Sequence, residues 1–208
     1  MYEYGDERAK SLKKTITRAF LKTKETLFYI DSNTKVIDQI NLLYRKILRL
    51  SEEAYLDIAK KAYADHNGPD RILEAWVIGI LDDYDPVVKY VFTKELERKG
   101  ARLAESIIAD AEYSGKDPPT VNYPPIKQDF TRGLNYVTWQ TDQFAITVED
   151  KTVIRAFKDN GYKKIKWHTQ NDEKVCKECE ERNGKIYPID KMPTKHPNCR
   201  CYFTPEKA

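Results

Sequence analysis

Five residues near the end of the chain have the types and the spacing to hold a metal ion. Cys176 and Cys179 are separated by two residues, which lets both thiolates face one ion from a tight turn. His196, Cys199 and Cys201 follow and could supply the other side. A closed structural zinc site takes four such ligands in a tetrahedron. Five candidates compete for four places, and the spacing leaves open which one stays out. Cys199 and Cys201 are two positions apart, so on a strand they would face opposite sides. Either one of them is left out, or a Cys-x-Cys turn brings both in and releases His196.

Two other states of the four cysteines compete with a metal: a pair of disulfides, or free thiols. Disulfides belong to oxidising compartments. The start of the chain, Met1 to Asp6, lacks the apolar run of a secretory leader. That favours metal. The role expected for it is structural, because a catalytic zinc keeps one position open and needs a general base beside it. No His-x-Glu or His-Glu-x-x-His pattern accompanies these ligands. His168 and His196 with Asp172 could be drawn as a catalytic set. A deaminase, however, requires a glutamate two residues after its histidine ligand, and His196-Pro197-Asn198 lacks it. The chain is expected not to be an enzyme.

The residues around the cysteines carry a wider pattern. Trp167, Asp172, Cys176-x-x-Cys179, Asn183-Gly184 and the closing His196-Pro197-Asn198-Cys199-Arg200-Cys201 appear in that order. This resembles the C-terminal signature of phage head morphogenesis proteins, the phage-Mu-protein-F-like family of minor capsid proteins. The resemblance covers about residues 151–203. It implies a minor head protein of the virion, in the capsid interior or at the portal vertex, and in the host cytoplasm during assembly. The implied partners are the portal protein, the major capsid or scaffolding protein, and packaged DNA. The implied work is capsid assembly and DNA ejection.

Composition sets outer limits. The chain has 208 residues, with 33% charged and 40% hydrophobic, so its core is limited. No run of eighteen apolar residues is present, and no membrane partner is expected. The net charge of +3 is too small to argue for nucleic acid by itself. Residues 151–208 nevertheless hold 14 Lys and Arg against 8 Asp and Glu, so the ligand-bearing end is the basic end. Lys163, Lys164, Lys166, Lys195 and Arg200 are the candidate contacts to nucleic acid or to a protein partner. They support an alternative reading, a zinc-stabilised nucleic-acid-binding module. The bland account of the same residues is a solvated face, and no recognition helix or stacking motif accompanies them.

The elements that must position these residues suggest an α+β chain. A mainly helical N-terminal body is followed by a small C-terminal β/loop module stabilised by zinc. The expected division is a helical domain over 1–115, a proline-rich linker over 116–126, and a small α+β module with the Cys/His site over 127–208. Apolar residues at helical spacing predict helices over about 6–31 and 35–65. Asn67-Gly68-Pro69-Asp70 breaks the second. A buried apolar segment is expected over 72–81 and a fourth helical stretch over 86–114. Asp82-Asp83-Tyr84-Asp85 reads as a capping turn rather than half a calcium loop. His66 has no metal partner in the sequence and is expected at the surface. Residues 126–150 are ambiguous, with Ala145-Ile146-Thr147-Val148 prone to form a strand. A short helix around Val153 and Phe157 should end at Asn160-Gly161. Short strands are expected at 163–167, 185–187 and 200–203. Three such strands bury little surface, so a metal would be needed to fix them.

Overall fold

In the computed structural model the described residues are 3–27, 33–69, 124–196 and 198–207, together with helical residues 102, 105, 106, 108 and 109. The expected segments over 72–81 and 82–86 lie outside them. So do most of 86–114 and the linker as far as residue 123. Three long helices dominate: α1 over Glu3–Leu27, α2 over Asn33–Asp65 and α3 over Pro124–Asp159. A small C-terminal region follows, with β1 at Lys164–His168, a short helix α4 at Lys177–Arg182 and β2 at Ile186–Pro188. A 3-10 turn at Ile189–Lys191 and β3 at Tyr202–Glu206 complete it. The α+β class holds: the chain is mainly helical with a small sheet at its end.

The chain divides into two units, and each long helix contributes to both. The second unit takes Ala9–Ala54 and Ile78–Thr141. Its described core is helical. Leu12, Ile16 and Phe20 of α1 are buried, as are Ile40, Leu43, Tyr44 and Ile47 of α2. The first set repeats by four and the second by three and four, the spacings that line up one face of a helix. Phe20 meets Tyr44 and Phe130 edge-on, with ring centroids 6.2 and 6.4 Å apart.

The first unit takes Met1–Arg8, Tyr55–Val77 and Asp142–Ala208, and it carries the site. The end of α2 is tied to the end of α3 at several points. Tyr63 donates to Asp159 Oδ2 at 2.5 Å, and Asn160 Nδ2 donates to the Asn67 carbonyl at 2.9 Å. Gly68 N–H returns to the Tyr63 carbonyl at 2.8 Å, closing α2 where the Asn-Gly-Pro break was expected. Arg8 of α1 pairs with Asp57 of α2 at 2.7 Å. Gly5 lets a carboxyl come close, since a Cβ there would lie 2.0 Å from Glu149 Oε2.

Residues 126–150 are helical, and no strand forms at 145–148. Two facts explain why β propensity loses here. Val137, Thr141, Phe144, Ala145 and Val148 are buried at helical spacing, so packing favours the helix. The threonines also satisfy their hydroxyls inside it: Thr141, Thr147 and Thr152 each donate to the carbonyl four residues back, at 2.8, 2.9 and 2.7 Å. The short helix expected around Val153 is the end of this same helix, which stops before Asn160-Gly161 as expected. Gly161 has φ +83°, a conformation that favours glycine.

The sheet is antiparallel with strand order β2-β1-β3. Ile165 pairs with Tyr187 and Trp167 with Phe203. Alternation does the sorting. Ile165 and Trp167 are buried, whereas Lys164 is exposed and Lys166 partly so, as the sequence pattern predicts. The inner side of the sheet joins one core with Val153 and Phe157 of α3 and Ala62 of α2, and that core includes Cys179, Cys199 and Cys201. Strand β3 begins at Tyr202, two residues later than its expected start, so both of these last cysteines precede it.

Candidate metal centre

Cys176 and Cys179 owe their position to the start of α4. Cys176 is its N-cap, with extended backbone, and its sulfur accepts from the Cys179 N–H at 3.4 Å. A side-chain acceptor at this place satisfies one of the free N–H groups of the first turn. The turn after the helix is fixed by Asn183-Gly184. Gly184 has φ +76° and its N–H donates to the Trp167 carbonyl at 2.8 Å. Asn183 accepts from Thr169 N–H at 3.1 Å and donates to Asn171 Oδ1 at 3.1 Å. These bonds lock the Cys-x-x-Cys segment onto the end of β1.

The second group of donors comes from a stretch without regular structure between the 3-10 turn and β3. Cys199 N–H donates to the His196 carbonyl at 3.1 Å, closing a turn in which Asn198 has φ 61°. A positive φ is tolerated by Asn better than by most side chains.

The two groups converge. His196 Nε2 lies 3.1 Å from Cys176 Sγ and 3.0 Å from Cys179 Sγ. Cys179 Sγ lies 3.6 Å from Cys199 Sγ. Cys176, Cys179 and His196 form one cluster that could hold an ion, and Cys179, Cys199 and Cys201 form another. Within each cluster the ligand atoms are all within 4.8 Å of one another, and Cys179 belongs to both. Cys199 and Cys201 therefore do not face opposite sides. The segment 199–201 is not a strand, so the two-residue alternation does not apply to it. His196 is not released by their joint approach.

All four cysteines are free thiols. Burial pushes the Cys179 thiol upward, and hydrogen bonds with the other three thiols add to the effect. Burial is also the leading cause of the upward shift at Cys199. Without a cation, then, Cys179 and Cys199 hold their protons more firmly than an ordinary thiol. A cation that binds thiolates would displace them. The donor set is soft, three sulfurs and a nitrogen or more, which suits zinc-like ions and not calcium or magnesium. The small cavity among these residues has a volume of about 20 Å³, room for one atom-sized occupant. The residues present fit such an ion. Among the described residues, no carboxylate lines that cavity.

Side chains outside the donor set tie the half-sites together. Asp172, four residues before Cys176, accepts from Arg200 at 2.6 Å and from Lys174 N–H at 3.0 Å. The Arg200 hydrogen bond holds its carboxyl below the usual carboxylate range. Gln170 Nε2 donates to the Arg200 carbonyl at 2.9 Å. Lys195 pairs with Asp150 of α3 at 2.6 Å, with both side chains nearly buried. It also donates to the Cys201 carbonyl, and its ammonium lies 4.5 Å from the centre of the Phe203 ring. Two of the five candidate contact cations, Lys195 and Arg200, are thus engaged in internal ion pairs. Lys163 and Lys164 are exposed and Lys166 is half-buried.

Of the candidate catalytic set, His196 lies with the cysteines and Asp172 is bonded to Arg200. The His168 ring stacks on Tyr202 at 5.0 Å, and its Nε2 is 2.8 Å from Thr204 Oγ1. Burial, then the Lys166 charge, lowers its pKa. His66 is half-buried rather than free at the surface. Its ring meets Phe157 edge-on at 5.4 Å and its Nδ1 is 2.8 Å from the Ala62 carbonyl oxygen.

Sequence reasoning missed Gln143 and Asp150. Gln143 exchanges two hydrogen bonds with Asn198, at 2.7 and 2.9 Å. Neither residue lies near the cysteines in sequence, and no local pattern marks them.

Comparison with known proteins gives one family. Residues 133–204 match the sequence model of the family described as Phage Mu protein F like protein, which agrees with the resemblance drawn from the sequence. The matched segment begins within α3 and runs through the cysteine region into β3. No curated protein and no solved structure matches the chain.

Proposed function

We propose that this protein is a minor head protein of a bacteriophage, acting at the portal vertex in capsid assembly and DNA delivery. The observation that carries the reading is the family match over residues 133–204, which suggests a phage head morphogenesis protein. The same match supports a virion location and phage structural partners. Among the described residues, no helix is long and apolar enough to cross a membrane. The portal protein is the partner proposed, with a major capsid or scaffolding protein and packaged DNA beside it. Co-expression with the portal protein of the same phage tests this. The full chain should co-sediment with the portal oligomer, and a chain that stays at the top of the gradient contradicts the reading.

We also infer one structural zinc per chain, held by Cys176, Cys179, His196 and Cys199. Zinc–sulfur bonds of about 2.3 Å give a tetrahedron whose sulfurs are about 3.8 Å apart. The 3.6 Å between Cys179 and Cys199 sulfurs supports that arrangement. His196 and Cys199, three apart across a turn, mirror Cys176 and Cys179. Cys201 is the donor left out of the four. Bound zinc would cross-link the two halves of a region too small to hold itself. The described residues that line the cavity supply sulfur and nitrogen donors and no carboxylate, which favours a structural role for the ion over a hydrolytic one.

The alternative, a zinc-stabilised nucleic-acid-binding module, draws less support. Lys195 and Arg200 are committed to Asp150 and Asp172, which leaves Lys163, Lys164 and Lys166 as its phosphate contacts. Steep salt dependence of binding to random DNA would favour it.

A further inference from the structure

Gln143 and Asp150 lie seven residues apart on α3, which places them on one face of the helix two turns apart. Each is joined to the irregular stretch that carries His196 and Cys199. Asn198 N–H donates to Gln143 Oε1 at 2.9 Å, and Gln143 Nε2 donates to Asn198 Oδ1 at 2.7 Å. The backbone N–H can only donate, so it fixes which way the Gln143 amide faces. Asp150 Oδ1 accepts from Lys195 Nζ at 2.6 Å. Lys195 immediately precedes His196, and Asn198 immediately precedes Cys199. Each anchor therefore sits one residue before a metal donor.

We infer that Gln143 and Asp150 are positioning residues for the metal centre, holding the His196/Cys199 half-site against the Cys176/Cys179 half-site. The inference rests on the zinc reading above and assigns part of the site to α3. The physical need is plain. None of the described residues of 192–201 lies in a helix or strand, so no regular element of that stretch fixes the distance from His196 to Cys176. A long helix is rigid, and two polar anchors two turns apart fix both position and tilt. The Asp150–Lys195 pair is well shielded from water, with the two side chains 10% and 9% exposed, so its geometry is held tightly. The family match starts upstream of both residues, at 133, so Gln143, Asp150 and the cysteines fall within one matched segment.

The test uses the full chain and follows zinc by competition with a chromophoric chelator and cobalt by its visible absorption. Outer residues that orient metal ligands typically change affinity by about ten- to a hundredfold. Gln143→Ala and Asp150→Asn should each weaken zinc binding by about that factor. Each should also alter the absorption of the bound cobalt, with one metal per chain retained and helical circular dichroism unchanged. Val148→Ala is the control for a general loss of packing, since Val148 is buried on the same helix but lies outside the core that holds the cysteines. It should lower the unfolding temperature and leave affinity and spectrum as in the wild type. Gln143→Ala and Asp150→Asn matching the wild type in affinity and spectrum would overturn the inference, and so would changes no larger than those of Val148→Ala. A wild-type chain that takes up neither metal would fail at the earlier step and end the zinc reading itself.

Discussion

His196 Nε2 sits 3.0 Å from the sulfur of Cys179, although seventeen positions separate the two residues in the chain. The contact joins a helix start to an irregular stretch, and three further donors gather round it. The geometry of the site is set by hydrogen bonds to β1 on one side and to α3 on the other.

The choice among the five donors can be checked one residue at a time. Cys199→Ser should abolish stoichiometric zinc binding, because it removes the sulfur 3.6 Å from Cys179. Cys201→Ser should keep one zinc per chain and lose some stability through altered packing. Elemental analysis of the two purified variants reads the difference. Metal retained by Cys199→Ser and lost by Cys201→Ser would exchange their roles.

Trp167 should be the residue of the small sheet least tolerant of truncation. It is fully buried, meets Phe203 at 5.1 Å and Tyr187 at 6.3 Å, and lies under the Arg182 guanidinium. Trp167→Ala should cost about 3–5 kcal/mol in denaturant unfolding. Trp167→Phe should cost much less, because the indole N–H is buried without a hydrogen-bond partner and its loss sacrifices no bond. Equal losses for the two variants would contradict this packing account.

Glu149 makes stability depend on pH. Burial is the main cause that raises its pKa to about 8, with Asp150 and Asp6 adding to it and Lys195 opposing. The folded chain therefore binds this proton more tightly than the unfolded chain does. Between the ordinary carboxylate value and about pH 8 the folded state holds a proton that the unfolded state has lost. Stability should fall as pH rises through that window and level off above it. The total is on the order of a few kcal/mol. Glu149→Gln should flatten the dependence and be the more stable protein above the window. Urea unfolding of both proteins with zinc in excess, from about pH 5 to about pH 9, tests the sign. A wild type that grows more stable across the window would contradict it.

The proposed role predicts a phenotype. Phage lacking this protein should still form capsid-like particles, with infectivity lowered. The motive is the family match over residues 133–204. Particles that lack the protein and infect normally would contradict the role.

Helices α1 and α2 and the cysteine cluster were legible in the sequence for a shared reason. Each is announced by residues close together in the chain. Ile40, Leu43 and Ile47 give the face of α2, and Cys176 with Cys179 gives half the site without reference to anything distant. Strand β1 was legible through its alternation. What was not legible depends on contacts across the fold. Helix α3 is rich in threonine and aromatic residues that suit a strand, and only burial of Val137, Phe144 and Val148 together with internal threonine hydrogen bonds decides for helix. Gln143 and Asp150 meet partners 55 and 45 residues away. The joint approach of Cys199 and Cys201 follows from the late start of β3, a matter of two residues that alternation rules cannot resolve.

The claim on which the rest depends is that one zinc closes the C-terminal unit. Structural zinc in a small domain contributes on the order of 10 kcal/mol or more to folding. Elemental analysis of the purified chain, paired with thiol titration under denaturing conditions, tests it most directly. The account predicts one zinc per chain and four titratable thiols once the metal is chelated. It also predicts that Cys176→Ser or Cys179→Ser unfolds residues of about 160–203 while α1 and α2 keep their helical signal. A metal-free protein with two intact disulfides and the same folded C-terminal unit would contradict it.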